Sequence, residues 1–65
     1  MSNAIESQHY LVRRAKTGWE LCGVYVVAGE DDYVIRIAPY ATKKAAIVAG
    51  RLLAGHELPV FIEKR

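Results

Sequence analysis

The chain has 65 residues, 52% of them hydrophobic and 25% charged, which indicates one small globular domain rather than a disordered segment. Its net charge of +2 is far from the strongly basic balance of a dedicated nucleic-acid-binding protein. A single cysteine excludes an internal disulfide bond, and no Cys/His spacing is typical of a zinc site, so good packing or oligomerisation must supply the stability.

The N-terminal residues are expected to lie outside the fold. Ser2, Asn3 and Ala4 resemble the remnant of a cleaved expression tag, although the preceding Met fits a native start equally well. We expect residues 1–7 to be disordered or tag-like and residues 8–65 to form one domain. No apolar run approaches the roughly 18 residues of a membrane span, and no signal-peptide pattern is present. These features predict a cytoplasmic protein without a membrane partner.

Three strands are predicted in the first part of the chain. Gln8–Arg14 alternates in polarity, and Trp19–Ala28 is rich in aromatic and β-branched residues. Gly23 indicates a bulge or the close approach of another backbone within the second strand. Tyr33–Ala38 is the third strand, and Pro39 is expected to end it. Short turns join the three strands, which predicts an antiparallel meander.

A helix and a last strand follow the meander. Thr42 is a suitable N-cap, Lys43–Ala54 has high helix propensity, and Gly55 occupies the usual position after a helix. Leu58–Glu63 is the predicted last strand. We therefore predict an α+β fold with element order βββαβ, a mostly antiparallel four-stranded sheet of order 3-2-1-4, and a single helix on one face. A helical wheel assigns the sheet-facing side of the helix to Ala45, Val48, Ala49, Leu52 and Leu53.

The residues that could carry chemistry favour structural roles. Cys22 lies within a strand and is expected to be a buried small hydrophobe rather than a nucleophile. His9 and His56, with Glu57, could form a metal site or an acid–base pair, but they are too few for a closed metal site. The three acidic residues 30–32 lack the spread of ligands that a calcium loop needs. We expect no enzyme activity, cofactor, metal or small-molecule substrate.

The first turn of the helix suggests a binding surface. Lys43 and Lys44 lie where the helix dipole disfavours bases, so stability alone does not account for them. The wheel places Ile47 between these lysines and Arg51 on the solvent face. We interpret this group as a docking point for an acidic, partly apolar partner; an ordinary exposed isoleucine is the alternative.

The sheet face left open by the helix suggests a second surface. One helix covers one face, yet both faces of the second strand are apolar. Trp19, Tyr25 and Tyr33 are expected on the open face, where they would form an interface, and self-association as a homodimer is the simplest form of it. The alternative is a curled sheet with the N-terminal segment folded across it.

Short motifs in the chain resemble a family of small uncharacterised bacterial and phage domains. These motifs are Tyr10-x-Val12, residues 18–21 (Gly-Trp-Glu-Leu), residues 42–46 (Thr-Lys-Lys-Ala-Ala) and Val60-x-Ile62. The resemblance implies a β-meander, one helix and a last strand, in a bacterial or phage-infected host cell, and no assigned activity. In size and architecture the chain is also similar to small phage-encoded inhibitors, including anti-CRISPR proteins, which cover a surface of a larger host complex.

Two functional hypotheses result from these patterns. The first is a non-catalytic protein–protein interaction module that dimerises or covers a larger partner. A second copy or the larger partner would bind the two surfaces described above. The second is a small nucleic-acid-binding domain, in which basic side chains contact phosphates and exposed aromatic rings stack on bases. Its candidate phosphate contacts are Arg13, Arg14, Lys43, Lys44 and Arg51.

Overall fold

The computed structural model describes residues 5–63 and contains four strands and one helix in this range. The sheet order is β3-β2-β1-β4; β1 and β3 pair antiparallel with β2, and β4 pairs parallel with β1. These observations confirm the predicted α+β fold, its βββαβ order and its strand order. In chain order the elements are β1 (Ile5–Ala15), β2 (Gly18–Val27), β3 (Tyr33–Tyr40), α1 (Lys43–Ala54) and β4 (Val60–Ile62).

Several strand ends differ from the sequence prediction. β1 begins at Ile5, so the residues just before Gln8 belong to the sheet and not to a disordered tail. The rest of the predicted tail, residues 1–4, lies outside the described residues. β3 continues through Pro39 to Tyr40, because an edge strand tolerates a residue without an amide proton. β4 spans only Val60–Ile62, which is shorter than predicted.

The irregularity predicted at Gly23 lies in the neighbouring strand. Leu21 pairs with Ala38, whereas the next residue of β2 pairs with Arg36. Ile37 is therefore the extra residue of a bulge in β3. A Cβ at Gly23 would lie 3.6 Å from Cδ1 of Ile37, an ordinary van der Waals distance, so the bulge does not require a glycine at this position.

The core lies between α1 and the central strands. Val12, Leu21 and Ala46 are fully buried and form its centre. The helix lies very close to the sheet at Gly50, where a Cβ would be 3.1 Å from Cδ1 of Leu21 and 3.3 Å from Cγ1 of Val60. Partly buried side chains surround this centre: Tyr10, Trp19, Tyr40, Ile47, Ala49, Val60 and Ile62.

The helix turns a different side to the sheet than the wheel predicted. Its buried residues are Ala46, Gly50 and Ala54, which are four apart and all small. Small side chains let the helix axis approach the sheet, where larger ones would hold it away. Leu52 and Val48, predicted to be buried, are 79% and 50% exposed, so the predicted face was wrong.

The ends of α1 are fixed as the sequence indicates. The hydroxyl oxygen of Thr42 accepts a hydrogen bond from the amide of Ala45 at 3.1 Å, and Gly55, with φ of 64°, donates to the carbonyl of Arg51 at 3.0 Å. The segment after the helix then joins β1, because the Tyr10 amide donates to the carbonyl of Pro59 at 3.0 Å.

The helix is about half as long as the sheet on which it packs. Twelve residues of α1 span about 18 Å, whereas the eleven residues of β1 span about 36 Å. The helix begins beside Trp19 and ends near the level of Tyr10. The first half of β1, the second half of β2 and the start of β3 therefore extend beyond it. We call this part of the sheet the overhang. The helix in residues 5–63 is not long and apolar enough to cross a membrane.

The turn between β1 and β2 provides a stability test. Gly18 has φ of 124°, and a Cβ there would lie 2.7 Å from the backbone oxygen of Tyr40. We expect Gly18→Ala to lower the free energy of unfolding by about 2 kcal/mol or more, because strain and a backbone clash add together. Gly29→Ala is the matched control: φ is 77° but no atom lies within 4 Å, so the loss should be about 1 kcal/mol. Equal losses in urea denaturation would contradict this account.

Candidate interaction surface

The overhang leaves part of the helix-side sheet face uncovered. Leu21 lies beneath the helix, and alternation along β2 places Gly23 and Tyr25 on the same face. Their partners across the strand pair are Ile35 and Tyr33, respectively, so these side chains also point to the helix side. The uncovered area is thus a continuation of the core face and not the opposite face of the sheet.

The uncovered area is mainly apolar and aromatic, with the polar Gln8 of β1 beside Tyr25. We call Tyr25, Tyr33, Ile35 and Ile37 the open apolar patch. Tyr33, Ile35 and Ile37 are 52%, 54% and 44% exposed, and Tyr25 is partly buried. A shallow depression runs through the patch, and Tyr10, Gly23, Tyr25, Ile35, Ile37 and Leu58 contribute to its lining.

A second apolar surface lies on the helix itself. Val48, Leu52 and Leu53 are 50%, 79% and 55% exposed, and we call them the outer helix stripe. Successive helix residues are about 100° apart, so Leu53 and Ile47 lie on opposite flanks of the buried Gly50. In the right-handed crossover that β-α-β connections adopt, the Leu53 flank faces β3. The stripe therefore lies on the same side of the molecule as the open apolar patch.

The residues predicted for the open face are divided between two places. Tyr25 and Tyr33 belong to the open apolar patch, on the helix side of the sheet. Trp19 does not, because it packs against the core beside the start of the helix. The guanidinium carbon of Arg14 lies 5.4 Å, and the Nζ of Lys43 5.6 Å, from the centre of the Trp19 ring. These cation–π contacts cover the indole instead of leaving it open.

The predicted helix surface is only partly present. Lys43, Lys44 and Arg51 are exposed, as expected. Ile47 instead packs against the core and does not form an apolar centre among the bases, so this part of the prediction was wrong. The cause is the rotation of the helix that the small residues impose. The large exposed apolar side chains of α1 are those of the outer helix stripe, which the wheel had placed inside.

The hairpin at the far end of the overhang is acidic. Glu30, Asp31 and Asp32 are exposed there, and the Tyr33 hydroxyl donates a hydrogen bond to Oε1 of Glu30 at 2.6 Å. This hydrogen bond to a carboxylate raises the pKa of Tyr33. The contact fixes one edge of the open apolar patch to the hairpin.

Charge is separated along the strands. Arg14, Lys16, Lys43 and Lys44 are exposed at the end where the helix begins, which we call the basic end. The hairpin of residues 28–32 lies at the opposite end, because β2 runs from Gly18 near the basic end to Val27. We call this hairpin the acidic end.

The opposite face of the sheet holds a buried carboxylate. Glu20 is only 9% exposed; its Oε2 lies 2.5 Å from Nε of Arg13 and its Oε1 lies 3.5 Å from Nε of Arg36. The hydrogen bond from the guanidinium to Glu20 raises the pKa of Arg13. This three-residue network was not foreseen, although the pairing of Arg13 with Glu20 across β1 and β2 agrees with the predicted meander.

The candidate reactive groups are held in structural settings. Cys22 is fully buried, and its Sγ lies 3.9 Å from Oε2 of Glu20. Burial raises the pKa of the Cys22 thiol, which disfavours the thiolate that a nucleophile requires. His9 stacks edge-on against Phe61, with ring centroids 4.9 Å apart. Within residues 5–63, no three His, Cys, Asp or Glu side chains form a group that could hold a metal ion.

Comparison with protein-family models, curated proteins and solved structures finds no match to this chain. The resemblance to small bacterial and phage domains stays a hypothesis that rests on short motifs. The surface of the chain is therefore the basis on which its function can be inferred.

Burial of Cys22 predicts a pH effect on stability. An unfolded chain ionises this thiol above about pH 8.5, whereas the folded chain, with a raised thiol pKa, retains the neutral form. The stabilisation is therefore complete below pH 8.5 and decreases as the pH rises, by at most about 1.4 kcal/mol per unit. Urea unfolding under reducing conditions at pH 7.5 and 9.5 should show a larger loss for the native chain than for Cys22→Ala. Equal losses of stability in the two proteins would contradict the role assigned to Cys22. Tyr33 also has a raised pKa, but it is present in both proteins and so cancels in the comparison.

Proposed function

We propose that this chain is a non-catalytic protein–protein interaction module that binds through the open apolar patch and the outer helix stripe. One observation carries the proposal: the helix covers only half the length of its own sheet face. As a result, large apolar side chains such as Ile35, 54% exposed, continue directly from the core to the surface. Contiguous apolar surface of this kind usually marks an interface.

The far face of the sheet supports this choice of surface. Its central residues Glu20, Cys22 and Val24 are buried even though no helix lies over them. Arg13 and Arg36 lie against Glu20 and add charge to that face. The helix side therefore offers the more apolar surface, and a protein partner is better suited to it than a charged polymer.

The proposed partner is a protein in the bacterial cytoplasm, either a second copy of the chain or a larger complex. In the second case the chain would cover a host surface, as small phage-encoded inhibitors of the anti-CRISPR type do. Both cases use the same side chains, so the surface can be tested before the partner is identified.

Nucleic-acid binding is a second candidate, favoured by the four cations of the basic end. Arg13 does not contribute, because Glu20 holds it on the far face. Tyr33 lies about 20 Å along β3 from the basic end, and Trp19 is covered by its own cations. Bases would then stack on Tyr33 at one end of the molecule, while the phosphates would be bound by the cations at the other end. This candidate requires affinity for single strands to fall at least tenfold between about 50 and 200 mM salt.

Site-specific photo-crosslinking tests the proposed surface. We expect a photoreactive phenylalanine analogue at Ile35 to form protein adducts in cells that produce the chain, several times more than the same analogue at Val34. The two positions are adjacent in β3 and similarly exposed, 54% and 45%, but they point to opposite faces of the sheet. Val34 is thus a matched control for expression and exposure. Adducts in equal amounts at both positions, or at neither, would overturn the proposal.

A further inference from the structure

The open apolar patch and the outer helix stripe lie within one molecule but cannot cover each other. The stripe extends from the outer side of α1, at Val48 and Leu52, to the flank that faces β3, at Leu53, and the patch is on the overhang beyond the helix end. Each surface has the chemistry that would cover the other: side chains such as Leu52 are branched aliphatic, and Tyr33 and Ile35 are large and apolar. A single chain therefore has two complementary halves of one contact.

We propose that a second copy of this chain completes the fold, as a two-fold dimer in which each helix covers the partner's overhang. This inference rests on the proposed function and names its partner. The two sheets would face each other, with each strand running in the opposite direction to the same strand of the other copy. The two helices would lie end to end between the sheets. The dimer is then a three-layer sheet–helix–sheet structure.

The dimensions of the elements fit this arrangement. Each helix spans about 18 Å and the longest strand about 36 Å, so two helices end to end match the length of one sheet. A two-fold axis across the strands, midway along them, brings the uncovered half of each sheet beneath the partner's helix. Self-complementary contact of this kind is the commonest form of association between identical chains.

Charge supports the same arrangement. The two-fold axis exchanges the ends of the strands, so the basic end of one copy lies over the acidic end of the other. Lys43 and Lys44 would face Asp31 and Asp32 of the second chain, and the contact occurs twice. A parallel arrangement would place like charges together and is disfavoured.

The lysines in the first helical turn gain a role in this dimer. The positive end of the helix dipole disfavours both of them in the isolated chain, where, among the described residues, only Lys43 has a compensating contact, with the Trp19 ring. Facing two aspartates of a second chain, they become part of an attractive contact that also sets the antiparallel direction.

Charge reversal tests the dimer. The native chain should sediment at twice its mass of 7.2 kDa. We expect Lys43→Glu with Lys44→Glu to weaken dimerisation at least tenfold, and Asp31→Lys with Asp32→Lys to do the same. Acidic residues suit a helix start, so the first variant should keep its fold. An equimolar mixture of the two variants should regain the dimer, because in the mixed pair one contact has its charges reversed and the other keeps its native lysines and aspartates.

Apolar variants separate this inference from the proposed function. Leu52→Ser should also abolish the dimer, whereas Phe61→Ser, 53% exposed on the far face, should leave it intact. A native chain that stays monomeric at 100 µM, or variants that do not recover on mixing, would overturn the two-fold dimer. If crosslinks from Ile35 then lead to a different protein, the proposed function stands; if there are no such crosslinks, both fall.

Discussion

The close contact between α1 and the sheet determines most of this structure. Ala46, Gly50 and Ala54 allow the helix to approach Leu21 and Val60 so closely that even a methyl group at Gly50 would be tight. Dispersion and burial both favour such close packing. The same contact fixes the rotation of the helix, and the rotation decides which of its side chains face solvent. The three small residues of α1 therefore determine both which side chains are buried in the core and which are exposed on the surface.

The elements were predictable because local signals agree with the fold. Thr42 and Gly55 delimit the helix, and alternation with β-branched residues identifies the strands. The rotation of the helix was not predictable from its pattern, because apolar residues occur almost all the way round α1 and a wheel favours the larger ones. Close approach depends instead on the small ones, and their partners, Leu21 and Val60, lie far away in the sequence.

The surface was predicted in composition but not in position. Tyr25 and Tyr33 were recognised as surplus apolar residues, yet they were assigned to the face without a helix. The error came from assuming that one helix covers a whole sheet face: the predicted second strand, Trp19–Ala28, already spans about 33 Å against about 18 Å for the helix. The actual start of β1 at Ile5 extends the overhang further. Residues 6–8 are all polar and show no strand alternation, so the extension of β1 is visible only in its pairing with β2.

The three-residue β4 has a consequence for motion. It pairs with β1 only from Tyr10 to Val12, so β1 has a β4 neighbour beside the core but none along Ile5–His9 within the described chain. Amides near the core are held by strands on both sides and by the helix above, whereas those of the overhang have less support. Local opening should therefore begin at the acidic end of the sheet and spread toward Val12. The overhang is then the least stable part of the sheet, and its β2 and β3 segments carry the open apolar patch.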